Sequence, residues 1–232
     1  MMKADLHIHT CLSPCADITM TPDVVKEKSK GLDVLGILDH NTSKNVRPFI
    51  KVLKNKVIVP ALEIQSVEDV HVLGFFERLE DSLKVSRILE DHLPNITHDH
   101  EKFGYQLYVD ESGRFIGYED KPLGFPTDLK LDEVVDLILK ENGIPVFAHV
   151  ERKFGVLYQL GIFPETPVRI TEVVSEGGYK LAKREGFVVI TSSDAHTPED
   201  IGRRTIWLDC DDKSIKSVLT CLLNGKVITP WD

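Results

Sequence analysis

The sequence predicts an α/β protein with a mainly parallel β-sheet, and three observations support this fold class. Short apolar stretches such as LDVLGILDH, KVIVPALEI and FVVITSSD have the length and composition of buried strands. Stretches with helical periodicity separate most of them, as in strand–helix–strand units. The chain has 232 residues, of which 42% are hydrophobic, so it can bury one sizeable core. This alternation fits either an open doubly wound sheet or a closed barrel.

The first half of the chain contains four predicted strands. MMKADLHIH forms the first, and a helix follows from Pro22 to Lys30, with proline in its first turn and Gly31 after its end. LDVLGILDH is the second strand, and SKNVRPFIKVLKN is a helix with Pro48 near its start. KVIVPALEI and DVHVLGFF are two further strands, and residues 81–92 are predicted to be helical.

Residues 94–127 interrupt this pattern. They are polar, and YQLYVDESGRFIGYE predicts a β-hairpin that turns at residues 111–113. We interpret this segment as an insertion in a single domain that spans residues 1–232. The HDHE stretch at 98–101 contains two histidines, but its polar surroundings favour a solvated lid over a metal site.

The alternation then resumes to the end of the sequence. Apolar residues from Leu131 to Leu139 share one helical face, and Gly143 is expected to end that helix. IPVFAHV, VRITEVV, FVVITSSD and RTIWLDC are predicted strands, and residues 212–223 are predicted to form a last helix.

The composition indicates a soluble, cytoplasmic protein without a membrane partner. No signal peptide and no apolar stretch of membrane-spanning length are present in the sequence. The net charge of −9 disfavours a general nucleic-acid coat protein, although a local basic pocket remains compatible with it. Cys11, Cys15, Cys210 and Cys221 are too scattered for a disulfide framework, so we predict free thiols.

Histidines and carboxylates recur where the predicted strands end. Six of the nine histidines lie at or near such ends, together with four acidic residues: His7, His9, His40, His71, His149, His196, Asp5, Asp39, Glu63 and Asp194. The carboxyl ends of parallel strands converge on one face of an α/β fold, so we expect these side chains to lie close together.

The opening Asp5-x-His7-x-His9 places three polar residues on one side of a strand, if the strand is regular. Two neutral imidazoles on that side are able to bind one metal ion, and we expect Asp5 to hold a histidine N–H. A single strand histidine is usually a satisfied core or rim residue, but a whole group of this kind is costly to bury without ions. Imidazole and carboxylate donors with little thiolate favour Zn, Mn or Fe, and the number of donors implies two to three divalent ions.

The motifs DLHIH, LDHN, ALE before DVHVLGF, FAHV and SSDAH resemble, in this order, those of the PHP (polymerase and histidinol phosphatase) family of metal-dependent phosphoesterases. The resemblance covers residues 5–196 and is greatest to small stand-alone members. It implies a distorted (β/α)7 barrel, similar to a TIM barrel, with a trinuclear metal site at the carboxyl ends of the strands.

The resemblance also implies roles for individual residues. The implied metal ligands are His7, His9, His40, Glu63 as the bridging carboxylate, His71, His149, Asp194 and His196, with Asp39 as a ligand or a supporting residue. Glu63, Asp194 and His196 are the candidate catalytic residues. The family often has an aspartate or histidine ligand soon after its first motif, where this chain reads LSPCAD. Asp17 is our preferred substitute and Cys15 is the alternative.

The resemblance implies hydrolysis of a phosphate mono- or diester by a hydroxide that bridges two metal ions. The expected substrate is a nucleotide, a short oligonucleotide or a small phosphorylated metabolite, and no stable nucleic-acid complex is expected. Arg152 is the candidate phosphate ligand, because a guanidinium can bind phosphate through two hydrogen bonds; Arg203 and Arg204 are weaker candidates.

Two other functions remain open. A non-catalytic module that metal ions stabilise would have the same ligands, and the altered LSPCAD segment agrees with it. A metal-dependent amide or C–N hydrolase on a related barrel would often use a carboxylated lysine as its bridging ligand. No lysine stands at a motif position in this sequence, and Glu63 takes the bridging place.

Overall fold

The computed structural model describes residues 1–167 and 169–232. The strands within them are β1 (Met2–His9), β2 (Val34–Leu38), β3 (Val57–Gln65), β4 (His71–Phe76), β5 (Leu107–Val109), β6 (Phe115–Tyr118), β7 (Gly143–Phe147), β8 (Ile170–Glu172), β9 (Val188–Ile190), β10 (Ile206–Leu208) and β11 (Val227–Ile228). The α-helices are α1 (Pro22–Lys28), α2 (Val46–Val52), α3 (Leu79–Leu89), α4 (His100–Phe103), α5 (Leu131–Lys140), α6 (Val156–Leu160), α7 (Glu176–Arg184) and α8 (Ile215–Leu223). Apart from α4 and β11, which the sequence did not predict, these elements follow the predicted order.

The main sheet curves into a nearly closed barrel. Its strand order is β11-β10-β1-β2-β3-β4-β7-β8-β9. The chain beyond β9 then returns to β1, where Ala195 pairs with Ile8 in parallel orientation. His9 N donates to the Ala195 carbonyl at 3.0 Å, and Ala195 N donates to the His7 carbonyl at 3.1 Å. The predicted distorted barrel is therefore confirmed, and the open-sheet alternative is excluded.

Strand β4 runs against both of its neighbours in the barrel. β1, β2 and β3 are parallel neighbours, and so are β7, β8 and β9, but β4 pairs in antiparallel orientation with both β3 and β7. His71 was expected near the carboxyl end of its strand and instead begins β4. Because β4 is reversed, its first residue lies beside Gln65 at the carboxyl end of β3, so His71 still reaches the same face.

Alternate residues of the barrel strands form the interior core. Ala4 of β1, Val59 of β3 and Val146 of β7 belong to one buried cluster, which α8 completes with Val218 and Leu222. Burial of these apolar side chains is the main stabilisation of the barrel. The opposite faces of β4 and β7 pack against α3, α5 and α7 in a second cluster. The barrel therefore holds the strand ends firmly in place.

A β-bulge in β1 decides which side chains face the interior. The register with β2 shifts between Asp5 and Ile8. Leu6 belongs to the interior cluster, whereas Ile8 packs outside with the residues of α1 and α2. A bulge adds one residue and changes the alternation of faces. His7 and His9 therefore point inward, while Asp5 does not share their face as the regular pattern predicted.

The insertion contains the predicted hairpin. β5 and β6 pair in antiparallel orientation, with Leu107 opposite Tyr118, which confirms the β-hairpin.

The expected helix end at Gly143 is wrong. Helix α5 ends at Lys140, Asn142 makes the turn with a φ of +62°, and Gly143 begins β7.

Among the described helices, none combines the length and apolar character that crossing a lipid bilayer requires.

Candidate metal centre

Glu63 lies at the centre of the polar residues inside the barrel mouth. It is on β3 and is only 1% exposed. Its Oε1 atom is 2.9 Å from His71 Nδ1 and 3.2 Å from His149 Nε2. Its Oε2 atom is 3.1 Å from His40 Nδ1 and 3.3 Å from His9 Nε2. One buried carboxylate thus contacts four imidazoles from four different parts of the barrel.

His7 and His9 meet Asp194 on the adjacent side of the cluster. The two Nε2 atoms lie 3.1 Å apart, and Asp194 Oδ1 is 3.3 Å from that of His7 and 3.5 Å from that of His9. His196 follows, with Nδ1 at 3.0 Å from the carbonyl oxygen of Asp194. Because a carbonyl only accepts hydrogen bonds, His196 Nδ1 carries a hydrogen, and in the neutral ring Nε2 then has the free lone pair.

Backbone strain is concentrated around this cluster. His149, Phe154 and Asp194 have φ values of +26°, +67° and +53°, in a region that residues other than glycine seldom adopt. Conformations of this kind cost on the order of 1–3 kcal/mol each and persist where the surrounding structure enforces them, commonly at functional sites. The barrel thus holds these residues in positions that the chain alone disfavours.

The donor set fits divalent metal ions. His71 Nε2 and His149 Nδ1 are buried and have no hydrogen-bond partner among the described residues, which is costly in a folded protein. Donor atoms also form three groups in which every pair lies within 4.8 Å: His9, His40 and His196; His7, His9 and Glu63; and His40, Glu63 and His71. Imidazole with carboxylate is the donor chemistry of zinc, manganese and iron sites.

Glu172 supports the histidines in the way that was expected of Asp5. Its Oε2 atom is 3.1 Å from His7 Nδ1 and accepts a hydrogen bond of 3.1 Å from His149 N. A carboxylate on the far ring nitrogen fixes the tautomer and leaves His7 Nε2 free to bind a metal. The sequence contained a signal for Glu172, because it stands at the end of β8 much as Glu63 stands near the end of β3.

Asp5 instead connects loops at the base of the site. Asp5 Oδ1 accepts from Ser193 N at 3.0 Å, and Oδ2 accepts from Gly202 N at 2.8 Å. Neither oxygen has a histidine ring among its hydrogen-bond partners in the described residues, because the bulge in β1 separates Asp5 from the face of His7. Burial raises the pKa of Asp5 to about 6 despite these hydrogen bonds. Asp5 thus positions the segment that carries Asp194.

Asp39 acts on His9 through a serine that sequence reasoning did not single out. Asp39 Oδ1 accepts from Ser13 Oγ at 2.7 Å and from Thr10 N at 3.0 Å. Ser13 Oγ is in turn 2.8 Å from His9 Nδ1. Asp39 therefore supports the His9 ring from behind, and in the described residues its oxygens bond to Thr10 and Ser13 and to none of the imidazoles.

Asp17 does not lie where a ligand is needed. Its side chain is exposed, and Oδ1 accepts hydrogen bonds from Thr19 N at 2.8 Å and from Thr19 Oγ1 at 2.7 Å. Asp17 therefore caps its own turn, and the expectation that it replaces the missing ligand is not met. The thiol of Cys15 lies at the cluster instead, with Sγ at 3.1 Å from His40 Nε2.

The three candidate arginines differ in position. Arg152 lies at the mouth of the site, where Nη2 donates to Asp194 Oδ2 at 2.6 Å. Arg203 Nε donates to the Ser193 carbonyl at 2.9 Å, and Arg204 Nε donates to the Ser192 carbonyl at 2.9 Å. Both of these arginines stabilise the chain before Asp194, so only Arg152 remains a candidate for phosphate binding.

The histidines of the HDHE stretch are not solvated as expected. His98 is buried, and its Nε2 atom is 2.8 Å from the Gly104 carbonyl oxygen. His100 packs against Tyr118, with ring centroids 4.6 Å apart. The insertion therefore lies against the barrel mouth as a packed wall.

Burial and neighbouring charges shift the pKa values of the clustered side chains. Burial tends to raise the pKa of Glu63, but the charge of His7 and the hydrogen bonds from His149 and His40 outweigh this and hold it well below its ordinary value. Burial tends to lower the pKa of His7, but Glu172 and Asp194 outweigh burial and raise it. Burial dominates at His71, whose pKa falls to about 4. Glu63 is therefore ionised and His71 neutral at pH 7.

Two adjoining cavities open onto the cluster. The first, of about 200 Å³, is lined by the ligand candidates together with Arg152, Lys153 and Phe154. The second, of about 270 Å³, shares Cys15, His40, His71 and Phe154 with it and extends under the insertion to Gln65, His98, Phe103 and Phe125. A ligand with one polar end and one flat apolar part would fit this shape.

Comparison with known proteins identifies the same architecture. A family model described as PHP-associated matches residues 178–227. The lesion-specific endonuclease Q from Pyrococcus furiosus is similar in structure, with a TM-score of 0.73, 16% identity and 98% of this chain covered, although the chain spans only 57% of that protein. In a second endonuclease Q structure (TM-score 0.62, 16% identity, 94% of this chain and 55% of that one), a DNA duplex has an abasic lesion at the active site.

Two further solved structures are similar. One is a two-domain protein from Bacteroides vulgatus that contains a predicted PHP-like metal-dependent phosphoesterase, with a TM-score of 0.55, 14% identity and coverage of 97% of this chain and 63% of that one. The other is an amidohydrolase from Chromobacterium violaceum with bound sulfate and no metal, with a TM-score of 0.58, 16% identity and coverage of 99% and 98%.

The search of curated protein sequences found no significant match. The chain nevertheless has the barrel fold of PHP-like proteins and contains a PHP-associated segment, so its resemblance to the PHP family is confirmed.

Proposed function

We propose that the chain is a metal-dependent phosphoesterase that hydrolyses phosphate mono- or diesters. The observation that carries this proposal is the position of Glu63, whose two oxygens each lie within about 3.3 Å of two imidazole nitrogens. A carboxylate in this position is suited to bridge neighbouring cations. When two divalent ions are bound, they lower the pKa of water and stabilise charge on a phosphoryl group.

The residues of the chain have separate roles in this proposal. His7, His9, His40, Glu63, His71, His149, Asp194 and His196 hold the ions. Glu172 and Asp39 fix the orientation of two of these rings, the second through Ser13. In its neutral form His196 offers Nε2 to a metal ion, because Nδ1 donates to the Asp194 carbonyl. This arrangement favours His196 as a ligand over its alternative role as a proton donor to the leaving group.

Arg152 provides the positive charge that an anionic substrate needs. The chain as a whole has a net charge of −9, so attraction of a phosphate must be local. Arg152 is 41% exposed on its side chain at the cavity mouth and has further N–H groups besides the one bonded to Asp194. We assign it to the non-bridging phosphate oxygens.

The second cavity favours a nucleotide or short oligonucleotide over a sugar phosphate. Phe103, Phe125 and Phe154 line it, and the rings of Phe103 and Phe125 are 5.2 Å apart in an edge-to-face arrangement. Aromatic side chains bind nucleobases by stacking, while Gln65 and His98 offer polar contacts. Endonuclease Q is nearly twice as long, and we expect no stable complex of this chain with long nucleic acids.

Hydrolysis of phosphate esters by the metal-loaded chain tests the proposal. We expect turnover of p-nitrophenyl phosphate, its bis-ester or short oligonucleotides, and a loss of at least about 1,000-fold in kcat for His9→Ala and Asp194→Ala. Asp17→Ala is the control, because it removes an exposed carboxylate near the site. Full activity of either site variant would refute the assignment.

The alternative functions predict other results. Hydrolysis of amide or cyclic C–N bonds with no action on phosphate esters would favour the amidohydrolase alternative. Bound metal and a bound phosphate ligand without turnover of any ester would favour the non-catalytic module.

A further inference from the structure

The loop after β1 brings a thiol to the metal-binding residues. Cys15 is exposed and lies at both cavities, with Sγ at 3.1 Å from His40 Nε2. Two backbone hydrogen bonds fix the turn: Ala16 N donates to the Ser13 carbonyl at 2.9 Å, and Asp17 N donates to the His196 carbonyl at 2.8 Å. The second bond ties the thiol loop directly to a ligand candidate. The position of Cys15 is therefore set by the site itself.

His9, His40 and His196 form one of the compact donor groups, with donor atoms within 4.8 Å of one another. Three imidazoles leave one position open in a tetrahedral site. Typical Zn–S and Zn–N distances of about 2.3 and 2.0 Å place two donors on one ion roughly 3.5 Å apart. The observed 3.1 Å between Cys15 Sγ and His40 Nε2 requires a change of only a few tenths of an ångström.

Other residues of the loop do not compete for this position. Asp17 is occupied by Thr19. Cys11 is buried and donates to the Leu107 carbonyl at 3.6 Å, on the side of Asn45. The remaining explanation for Cys15 is an ordinary hydrogen bond between its thiol and the His40 ring, which would leave the thiol free to react in the presence of metal.

We infer that Cys15 is a thiolate ligand that shares a metal ion with His9, His40 and His196. This inference rests on the metal site of the proposed function. Binding releases the thiol proton to solvent and forms one sulfur–metal bond, with no change of oxidation state. Because thiolate is a soft donor, it biases the site towards Zn²⁺ or Fe²⁺ and away from Mn²⁺.

Absorption spectroscopy of the Co²⁺-substituted full chain tests this inference. We expect a sulfur-to-cobalt charge-transfer band in the near ultraviolet for the wild type and for Asp17→Ala, and its loss in Cys15→Ser. Cobalt bound at the wild-type stoichiometry without this band, or with a band that survives in Cys15→Ser, would overturn the inference and leave the proposed function intact. Failure of the wild type to bind cobalt at all would refute both.

Alkylation of the wild-type chain gives a second test that requires no variant. Mass spectrometry would follow iodoacetamide labelling of Cys15, with the partly exposed Cys210 as the internal control. We expect Zn²⁺ to slow labelling of Cys15 at least tenfold and to leave that of Cys210 unchanged. Equal rates at Cys15 with and without Zn²⁺ would show that its sulfur is not a ligand.

Discussion

Glu172 fixes two histidines through one carboxylate. It faces His7 Nδ1 and the backbone N–H of His149, so it orients one ring and holds the turn that carries another. Its pKa lies below the ordinary value: burial acts to raise it, but the charge of His7 outweighs that effect. Glu172 is therefore an ionised support for the ligands.

Glu172→Gln is expected to weaken metal binding by about 10- to 100-fold, the usual effect of losing a carboxylate behind a ligating histidine. Competition with a chromogenic chelator would measure the affinity. Glu77→Gln, at an exposed position, is the matched control. Equal affinity of Glu172→Gln and the wild type would remove Glu172 from the support of the site.

Arg152 has two possible effects that one experiment separates. Its ion pair with Asp194 positions a ligand, whereas its exposed N–H groups suit a phosphate. We expect Arg152→Ala to raise KM for phosphate esters roughly tenfold and to change metal content little, since a phosphate contact is worth about 1–2 kcal/mol. Loss of metal at unchanged KM would instead show that Arg152 positions Asp194 and does not bind phosphate.

The sequence predicted most residues of the cluster because strand ends converge, and it failed where local geometry intervened. Asp5 could not be placed, since nothing in KADLHIH marks the bulge that rotates it away from His7. Asp17 and Cys15 were both candidate ligands in LSPCAD, and only the hydrogen bond from Thr19 N to Asp17 in the structure distinguishes them. Interactions of a single turn are not visible in the spacing of residue types.

At the scale of elements, the reversal of β4 was also open to prediction. Only residues 66–70 separate β3 from β4, too few for the helical crossover that parallel strands require. His71 would then have been expected at the beginning of its strand. The parallel neighbours β1-β2-β3 and β7-β8-β9 follow from the alternation, but the antiparallel place of β10 beside β1 and the closure through Ala195 depend on long-range pairing that no local pattern contains.

We expect the insertion to determine which phosphate esters fit the proposed site. Gly104 packs directly against the loop after β1. Its φ is +98°, and a Cβ at this position would overlap the Pro14 carbonyl oxygen, so only glycine allows this contact. This close contact holds Phe103 beside Phe125 above the cavity that contains Cys15. The insertion is thus a wall of the second cavity.

Phe125→Ala is expected to raise KM for nucleoside phosphates about tenfold, since stacking of one base contributes about 1–3 kcal/mol. The KM for a small aliphatic phosphate is expected to stay the same. Phe115→Ala, an exposed phenylalanine of the same insertion, is the control. An equal rise for both substrates would show that Phe125 supports the fold of the insertion and not base binding.

At the scale of the whole molecule, the cluster links stability to pH. Burial alone would lower the pKa values of His7 and His40. Glu172 outweighs burial at His7, and Cys15 outweighs it at His40, so both pKa values are raised. A raised histidine pKa gives stability that is complete below the unfolded value of about 6.5 and is lost as pH rises through the folded value. The lowered pKa values of Glu63 and Asp194 have the opposite pH dependence. Their contribution to stability is complete above the unfolded value of about 4 and is lost as the pH falls below it.

The metal-free chain is therefore expected to lose thermal stability as the pH rises from about 6.5 through the raised pKa values of His7 and His40. Zn²⁺ is expected to stabilise the chain more as the pH rises over this range, because metal and protons compete for the same atoms. Melting temperatures with chelator and with Zn²⁺ across this range would measure both trends. A metal-free chain that becomes more stable over this interval would contradict the charge states described above.

Metal content per chain tests the central claim most directly. Elemental analysis of protein purified without chelator or metal-affinity resin is expected to give about two to three equivalents of Zn, Mn or Fe, and at least one fewer in Glu63→Gln, which keeps the shape but lacks the bridging charge. A wild-type chain without bound metal, even after reconstitution, would contradict the account, because the five imidazoles around Glu63 would then serve no ion.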